Sequence, residues 1–257
     1  MSTRQSTPRG GVLSPRLMGG TTLRVLGQLR HDRRSMGLLI GAPLLLLTLV
    51  YFMFDGNDML RDRVLLIMLG IFPFLLMFLV TSIAMLRERT SGTLERLFTT
   101  PMGKLDLLFA YGLAFGLAAT VQASVATTVA YWLLGLETEG GGFFVVLIAV
   151  GNALLGVGLG LLCSAFARTE FQAVQFLPIV VLPQILLSGL FVPRPAMAGW
   201  LEGLSNVMPL AHGVEALQEV GMHASATADM WRGFGVVVGC VLLALTLAAG
   251  TLRRRTE

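Results

Sequence analysis

The chain has 257 residues, 54% hydrophobic and 13% charged, with a formal net charge of +4 at neutral pH. Its mean hydropathy is +0.76. A soluble domain of this size needs far more charge to cover its surface, so these values exclude an ordinary water-soluble fold and make a bilayer the solvent for most of the chain. A basic balance in a soluble protein would point to nucleic acid. Here the placement of the basic residues matters more than their sum, and no nucleic-acid partner is expected.

Residues 1–16 contain Pro8, Gly10, Gly11 and Pro15 and read as a flexible tail, with 17–257 forming one membrane domain. Over 17–36, Leu23, Val25, Leu26 and Leu29 fall on one broad helical arc, with Arg24, Arg30, His31 and Arg34 mostly elsewhere. This predicts an amphipathic helix lying on the inner leaflet before the first span. A basic linker that merely obeys the positive-inside rule is the alternative.

Six apolar segments follow, at 38–54, 64–86, 105–134, 143–166, 174–192 and 232–252. A crossing needs about 20 residues. The first segment is at the short limit, and the third is long enough to tilt or to begin in the interface. With the N-terminus in the cytoplasm, only Arg61, Arg63, Arg194 and Arg232 fall outside, leaving 15 of the 19 basic residues inside. That bias predicts six spans in a cell membrane, with both termini cytoplasmic. Pro178 and Pro183 each remove a backbone donor from the fifth span and should bend or break it, and Pro73 could do the same in the second. Gly156 and Gly160 form a small-x-x-x-small pair suited to close helix contact. Cys163 and Cys240 lie in apolar runs and read as small packing residues.

Between the second and third spans, residues 87–104 carry Arg87, Glu88, Arg89, Glu95, Arg96 and Lys104. Each such charge costs about 2.5–3.5 kcal/mol at mid-bilayer, which places the segment outside the hydrocarbon. Leu94, Leu97 and Phe98 recur at i, i+3 and i+4 and make one apolar face, Gly92 permits a turn before it, and Pro101 ends it. The spacing predicts a short amphipathic helix at the cytoplasmic ends of spans two and three. It could dock a soluble partner or pack on its own protein.

The pattern Glu88-x-x-x-Gly92-Thr93-Leu94-Glu95-x-Leu97-x-x-x-Pro101 resembles the coupling-helix signature of ABC-2 type permeases. Two further blocks follow in the family's order: Leu187-Ser188-Gly189-Leu190-Phe191-Val192-Pro193, then Pro209-Leu210 with Val214-Glu215-Ala216-Leu217. The likeness covers nearly the whole chain and is nearest to drug exporters of the daunorubicin-resistance type. It implies an all-α fold of six transmembrane helices with an N-terminal interface helix, a cytoplasmic coupling helix and short re-entrant helices over 193–230 on the outer side. It further implies a permease subunit of an ATP-driven exporter for a hydrophobic or amphipathic drug or lipid. Two ATP-binding subunits would pair with this chain and a second permease copy or paralogue. Glu88, Gly92, Thr93, Leu94, Glu95, Leu97, Phe98 and Pro101 would couple to the ATPase. Ser188, Gly189, Phe191, Pro193, Pro209 and Glu215 would serve the outer gate. A polysaccharide or glycolipid exporter, and a membrane scaffold that docks a soluble ATPase without transporting, are the other readings.

The chain contains no G-x-x-x-x-G-K-[ST] phosphate loop, and its only lysine, Lys104, is followed by Leu105. No metal-ligand spacing stands out. The chain is therefore expected to be no enzyme and to hold no cofactor, with ATP and magnesium bound by the partner subunit. Spans two to six lack a central charge, unlike most ion-coupled transporters. Thr120, Ser124, Thr127 or Thr128, and Tyr131 recur at helical spacing on the third span. Gln175 and Gln184 lie on the fifth, and Asn152 on the fourth. They could line a weakly polar path or simply hydrogen-bond between helices.

Overall fold

The computed structural model describes residues 15–91 and 104–251. Their regular elements are all helical. In order they are α1 (Pro15–His31), α2 (Arg33–Met53), α3 (Asp58–Thr90), α4 (Lys104–Trp132), α5 (Gly142–Cys163) and α6 (Glu170–Phe176). A π-helical stretch (Leu177–Val181), α7 (Leu182–Leu186), a 3-10 turn (Arg194–Ala196), α8 (Gly199–Ser205), α9 (Pro209–Met222) and α10 (Ala228–Thr251) complete them.

Among the described residues, five helices are long and apolar enough to cross a membrane: α2 from Met36, α3, α4 from Phe109, α5 and α10. The expected fifth span, 174–192, takes a different form. A shorter apolar helix runs from Glu170 to Leu186, interrupted by the π-helical stretch at Pro178. The two prolines supply no N–H, and the wider π turn lets the Leu182 N–H reach the Leu177 carbonyl. The break is where Pro178 and Pro183 predicted it. The helix stops before 192 because Leu187 to Gly189 form a turn in which Gly189 has φ +92°.

The second span is the middle of a longer rod. At 33 residues, α3 is about 50 Å long against a hydrocarbon core of about 30 Å, so its charged ends stand clear. Asn57 caps the start by accepting from the Leu60 N–H. Ser91 closes the other end with a 2.9 Å bond from its N–H to the Arg87 carbonyl. Pro73 is buried within this helix and does not end it.

The most extensive contact joins α3 to α5. Lipid is as apolar as leucine, so helices in a bilayer associate by close packing rather than by the hydrophobic effect. Gly156 and Gly160 make that packing possible. A Cβ on Gly156 would overlap the Phe74 carbonyl, and one on Gly160 would stand 2.7 Å from the Phe78 oxygen. Around this seam, Leu65 and Leu69 of α3 pack with Val214 and Leu217 of α9 and Val237 of α10. Toward the Glu88 end, Met77 and Met85 meet Val25 of α1, Leu39 of α2, Tyr111 and Phe115 of α4, and Leu161 of α5. Cys163 and Cys240 are both free thiols.

The N-terminal helix differs from expectation in two respects. It packs along α4, where the Thr22 hydroxyl donates to the Ala110 carbonyl at 3.2 Å. Val25 is buried and Leu26 and Leu29 pack beside it, but Leu23 is 72% exposed. At about 100° per residue, positions 25, 29 and 26 span an arc of about 100°, and 23 lies about 60° beyond its edge, on the side turned away from α4. The helix also ends at His31, with Asp32 between it and α2, short of the expected boundary at 36.

Candidate functional site

Two polar constellations stand at the two ends of this bundle. The first is built on the last turn of α3. Glu88, only 12% exposed, faces Arg24 of α1 at 3.5 Å, and the Arg24 guanidinium also donates to the Tyr111 hydroxyl of α4 at 2.7 Å. The next residue back, Arg87, forks the Glu170 carboxylate at 2.7 and 3.0 Å. That fork holds the Glu170 carboxyl below the usual carboxylate range. The end of α3 is thus tied to α1, to α4 and to the start of α6. The Nε and Nη2 atoms of Arg89 are buried without a hydrogen-bond partner.

Glu88 is the one coupling residue expected from sequence that lies within the described residues. Gly92, Thr93, Leu94, Glu95, Leu97, Phe98 and Pro101 lie outside them, as does the short helix predicted there. Sequence reading missed Arg24, which falls between Leu23 and Val25 and reads as a surface charge, and it gave no role to the Arg87–Glu170 pair. No local pattern connects residues 83 positions apart.

The second constellation surrounds the turn after α7. The Ser188 hydroxyl donates to the Ile185 carbonyl at 2.7 Å, and Gly189 takes a left-handed backbone that a β-carbon would strain. The Arg194 side chain runs past Gly189 and donates to Glu215 of α9 and to the Asn206 carboxamide. His212 bonds the Asn206 carbonyl at 2.9 Å, and the Ser205 hydroxyl donates to the Leu187 carbonyl at 2.8 Å. Pro209 opens α9, where a missing N–H costs nothing. Ser188, Gly189, Pro209 and Glu215 are therefore drawn together, whereas Phe191 and Pro193 are exposed. Arg194 is the hub that sequence reading assigned no role.

The polar residues of the spans differ in burial and in hydrogen-bond partners. Thr120 is exposed and bonds the Gly116 carbonyl at 2.9 Å. Ser124 is partly buried and accepts from Thr128 at 2.7 Å through its carbonyl. Thr127 is buried with its hydroxyl unpartnered. Tyr131 bonds Thr138 at 2.7 Å, and Gln175 is exposed. Gln184 uses both ends of its amide, donating to the Val180 carbonyl at 3.1 Å and accepting from the Leu210 N–H at 3.4 Å. It ties the broken helix to the start of α9. Asn152 fills the notch left by Gly70 and Gly213, with neither of its polar side-chain atoms hydrogen-bonded. Among the described residues no group of His, Cys, Asp and Glu could hold a metal ion.

A bundle of long apolar helices, charged at the end of α3 and tied by polar contacts around a glycine turn at the other end, fits a transport permease. The sequence profile of the ABC-2 type transporter family matches residues 22–222, and the chain belongs to that family, whose permease components are not themselves ATPases. It is a multi-pass membrane protein. It is 28% identical, over 60% of its length, to the probable multidrug ABC transporter permease YbhR of Escherichia coli (strain K12), covering 42% of that protein. Over 64% of its length it is 24% identical to the linearmycin resistance permease protein LnrN of Bacillus subtilis (strain 168), again covering 42% of the relative. It is also 27% identical, over 69% of its length, to ABC transporter G family member 20 of Dictyostelium discoideum, covering 25% of that protein. The chain thus spans between a quarter and about two-fifths of the length of these relatives.

Proposed function

We propose that this chain is the membrane-spanning subunit of an ATP-driven exporter that moves a hydrophobic or amphipathic drug or lipid out of the cytoplasm or inner leaflet. A separate nucleotide-binding subunit hydrolyses the ATP. Two permease chains pair with two such subunits in the plasma membrane, with both termini cytoplasmic and the segment 174–186 of the broken helix serving as a sixth crossing. The observation that carries this reading is the family match across 22–222, joined to relatives named for multidrug and linearmycin resistance. The arginine bias supports the orientation, and the protruding, braced end of α3 supports a docking role for the segment that follows it.

In the proposed cycle, closure of the ATP-binding subunits pulls on the segment 92–103, and α3 conveys the pull. Glu88–Arg24 passes it to α1 and α4, and Arg87–Glu170 to the broken helix. Ser188 and Gly189 at the far end of that helix, with Glu215 reached through Arg194, open and close the outer exit.

Co-reconstitution with a candidate ATP-binding subunit in liposomes tests the reading. ATP-dependent efflux of a lipophilic dye, with no nucleotide binding by the purified chain alone, is the expected result. Failure to move any lipophile, with ATPase activity unresponsive to all of them, would favour a scaffold. Movement of a lipid-linked glycan alone would assign the chain to polysaccharide or glycolipid export.

A further inference from the structure

A cavity of about 590 Å³, half open, lies between α1, α2, α3 and α4 at the Glu88 end of the bundle. Its depth follows from the helices that wall it. The apolar stretch of α2 begins at Met36 and that of α4 at Phe109, and the cavity meets them at Leu38 and Tyr111, within their first turns. From α3 it takes Arg87 and Ser91, beyond the apolar run that ends at Leu86, and then Ile83, Leu79 and Leu76 on the membrane side. Its mouth therefore lies where three helices pass from charged to apolar sequence, and the apolar wall continues for about 10 Å along α3.

Polar groups of both signs reach this mouth. Gln28 and Arg87 are exposed and Asp32 is half-buried. Arg87 forks Glu170 through Nε and Nη2, so the N–H groups on Nη1 can turn to a second anion. The Asp32 carboxylate lies near enough to act on the Arg87 charge. An anion and a cation thus stand side by side above a slot of aliphatic side chains. Glu88 is part of the wall, but Arg24 answers its charge at 3.5 Å.

We propose that this cavity holds the head and the first part of one acyl chain of a phosphatidylethanolamine molecule from the leaflet that meets α1. The ammonium donates to the Asp32 carboxylate, the phosphodiester accepts from Arg87 Nη1, and Leu38, Leu76, Leu79 and Ile83 line the chain. Other occupants fit less well. Asp32, Glu88 and Glu170 outnumber Arg24 and Arg87 here, which disfavours a singly anionic head. A choline head has no N–H to give Asp32, a cationic amphiphile leaves Arg87 Nη1 without an anion, and a soluble zwitterion gains nothing from the apolar slot. The bilayer itself supplies the ligand, so the inference stands apart from any transport activity.

Native mass spectrometry of the purified full chain, titrated with phosphatidylethanolamine, phosphatidylcholine and phosphatidylglycerol, tests it. One phosphatidylethanolamine should be retained with about tenfold preference over each of the others, as expected for a charge-assisted hydrogen bond. Asp32 stands at the start of α2, where its carbonyl accepts from the Met36 N–H, and asparagine caps a helix as well as aspartate does. Asp32→Asn should therefore keep the fold and abolish the preference over phosphatidylcholine. Leu38→Trp, at a residue 64% exposed, should narrow the slot and weaken retention of all three lipids, and Arg63→Gln at the opposite end of α3 should change nothing. A diazirine on the acyl chain of phosphatidylethanolamine should label the stretch 76–83. Equal retention of the three lipids by the wild type, a preference that survives Asp32→Asn, labelling confined to other helices, or tighter binding of tetraphenylphosphonium would each overturn the assignment. Asp32→Asn should keep the wild-type thermal midpoint in phosphatidylcholine. A collapse of that midpoint would show Asp32 to be structural and would also overturn the assignment.

Discussion

Arg24 illustrates what a single side chain does once the helices are assembled. It bridges the nearly buried carboxylate of Glu88 and the buried hydroxyl of Tyr111. Removing it leaves both groups short of a partner. Arg24→Ala is expected to destabilise the chain by about 1–3 kcal/mol, read as a lower thermal midpoint in detergent, and Arg24→Lys should restore only part because an ammonium lacks the two-pronged fork. Asn152 and Gly213 give a cleaner test. The Asn152 carboxamide stands where a Cβ on residue 213 would go. Gly213→Ala should therefore cost about 1–3 kcal/mol through overpacking. In the Asn152→Ala background most of that cost should vanish, a coupling measurable in a double-mutant cycle. The sequence marks Asn152 as a polar residue in an apolar span, but nothing in the local pattern names Gly213 as its neighbour. Contact between them depends on how α5 and α9 are placed.

At the scale of elements, the seam between α3 and α5 and the broken helix after α5 are set by different residues. Gly156 and Gly160 admit the backbone of α3, and their spacing was legible as a close-contact signal, though not which helix would answer it. Gly156→Ala should separate the two helices, lower the unfolding midpoint and impair membrane insertion, whereas the same change at Gly239, which has open space around it, should be neutral. Pro178 and Pro183 announced the break in the fifth apolar segment, because a residue without an N–H leaves a gap in any helix. The end of that helix depends on Gly189, whose φ of +92° costs a β-branched residue more than the roughly 1–2 kcal/mol typical of a left-handed backbone. Gly189→Val is expected to abolish export while leaving insertion intact, and normal export by that variant would remove the main support for a gate at this turn. The Arg87–Glu170 fork adds a pH dependence. Its folded-state carboxyl titrates below the unfolded value, so the tie is complete above the unfolded value and is lost as pH falls through the folded one. Its exposure limits the effect to about 1 kcal/mol or less. An acid scan of limited proteolysis should show the start of α6 loosening before the rest of the bundle.

For the whole molecule, topology is the quantity to measure. With Cys163 and Cys240 replaced by alanine, a cysteine at Glu139 should react with a membrane-impermeant thiol reagent from outside. A cysteine at Arg168 should react only after the membrane is opened. The reverse pattern would invert the proposed orientation. Transport should fail in Glu95→Lys although the chain inserts, since that residue sits in the segment assigned to partner docking; unimpaired export would remove it from that role. Sequence alone determined the solvent, the long apolar segments, the prolines that would break one of them, and the family likeness. All of these depend on composition and short-range spacing, which survive without a fold. Only the tertiary structure decided which charges meet. Arg87 with Glu170, 83 residues apart, and Arg194 with Glu215, 21 apart, become neighbours through helix packing. The same packing determined that Leu23 faces away while Arg24 turns inward. These pairs form where separate helices bring their ends together, and local periodicity does not say where a partner on another helix lies.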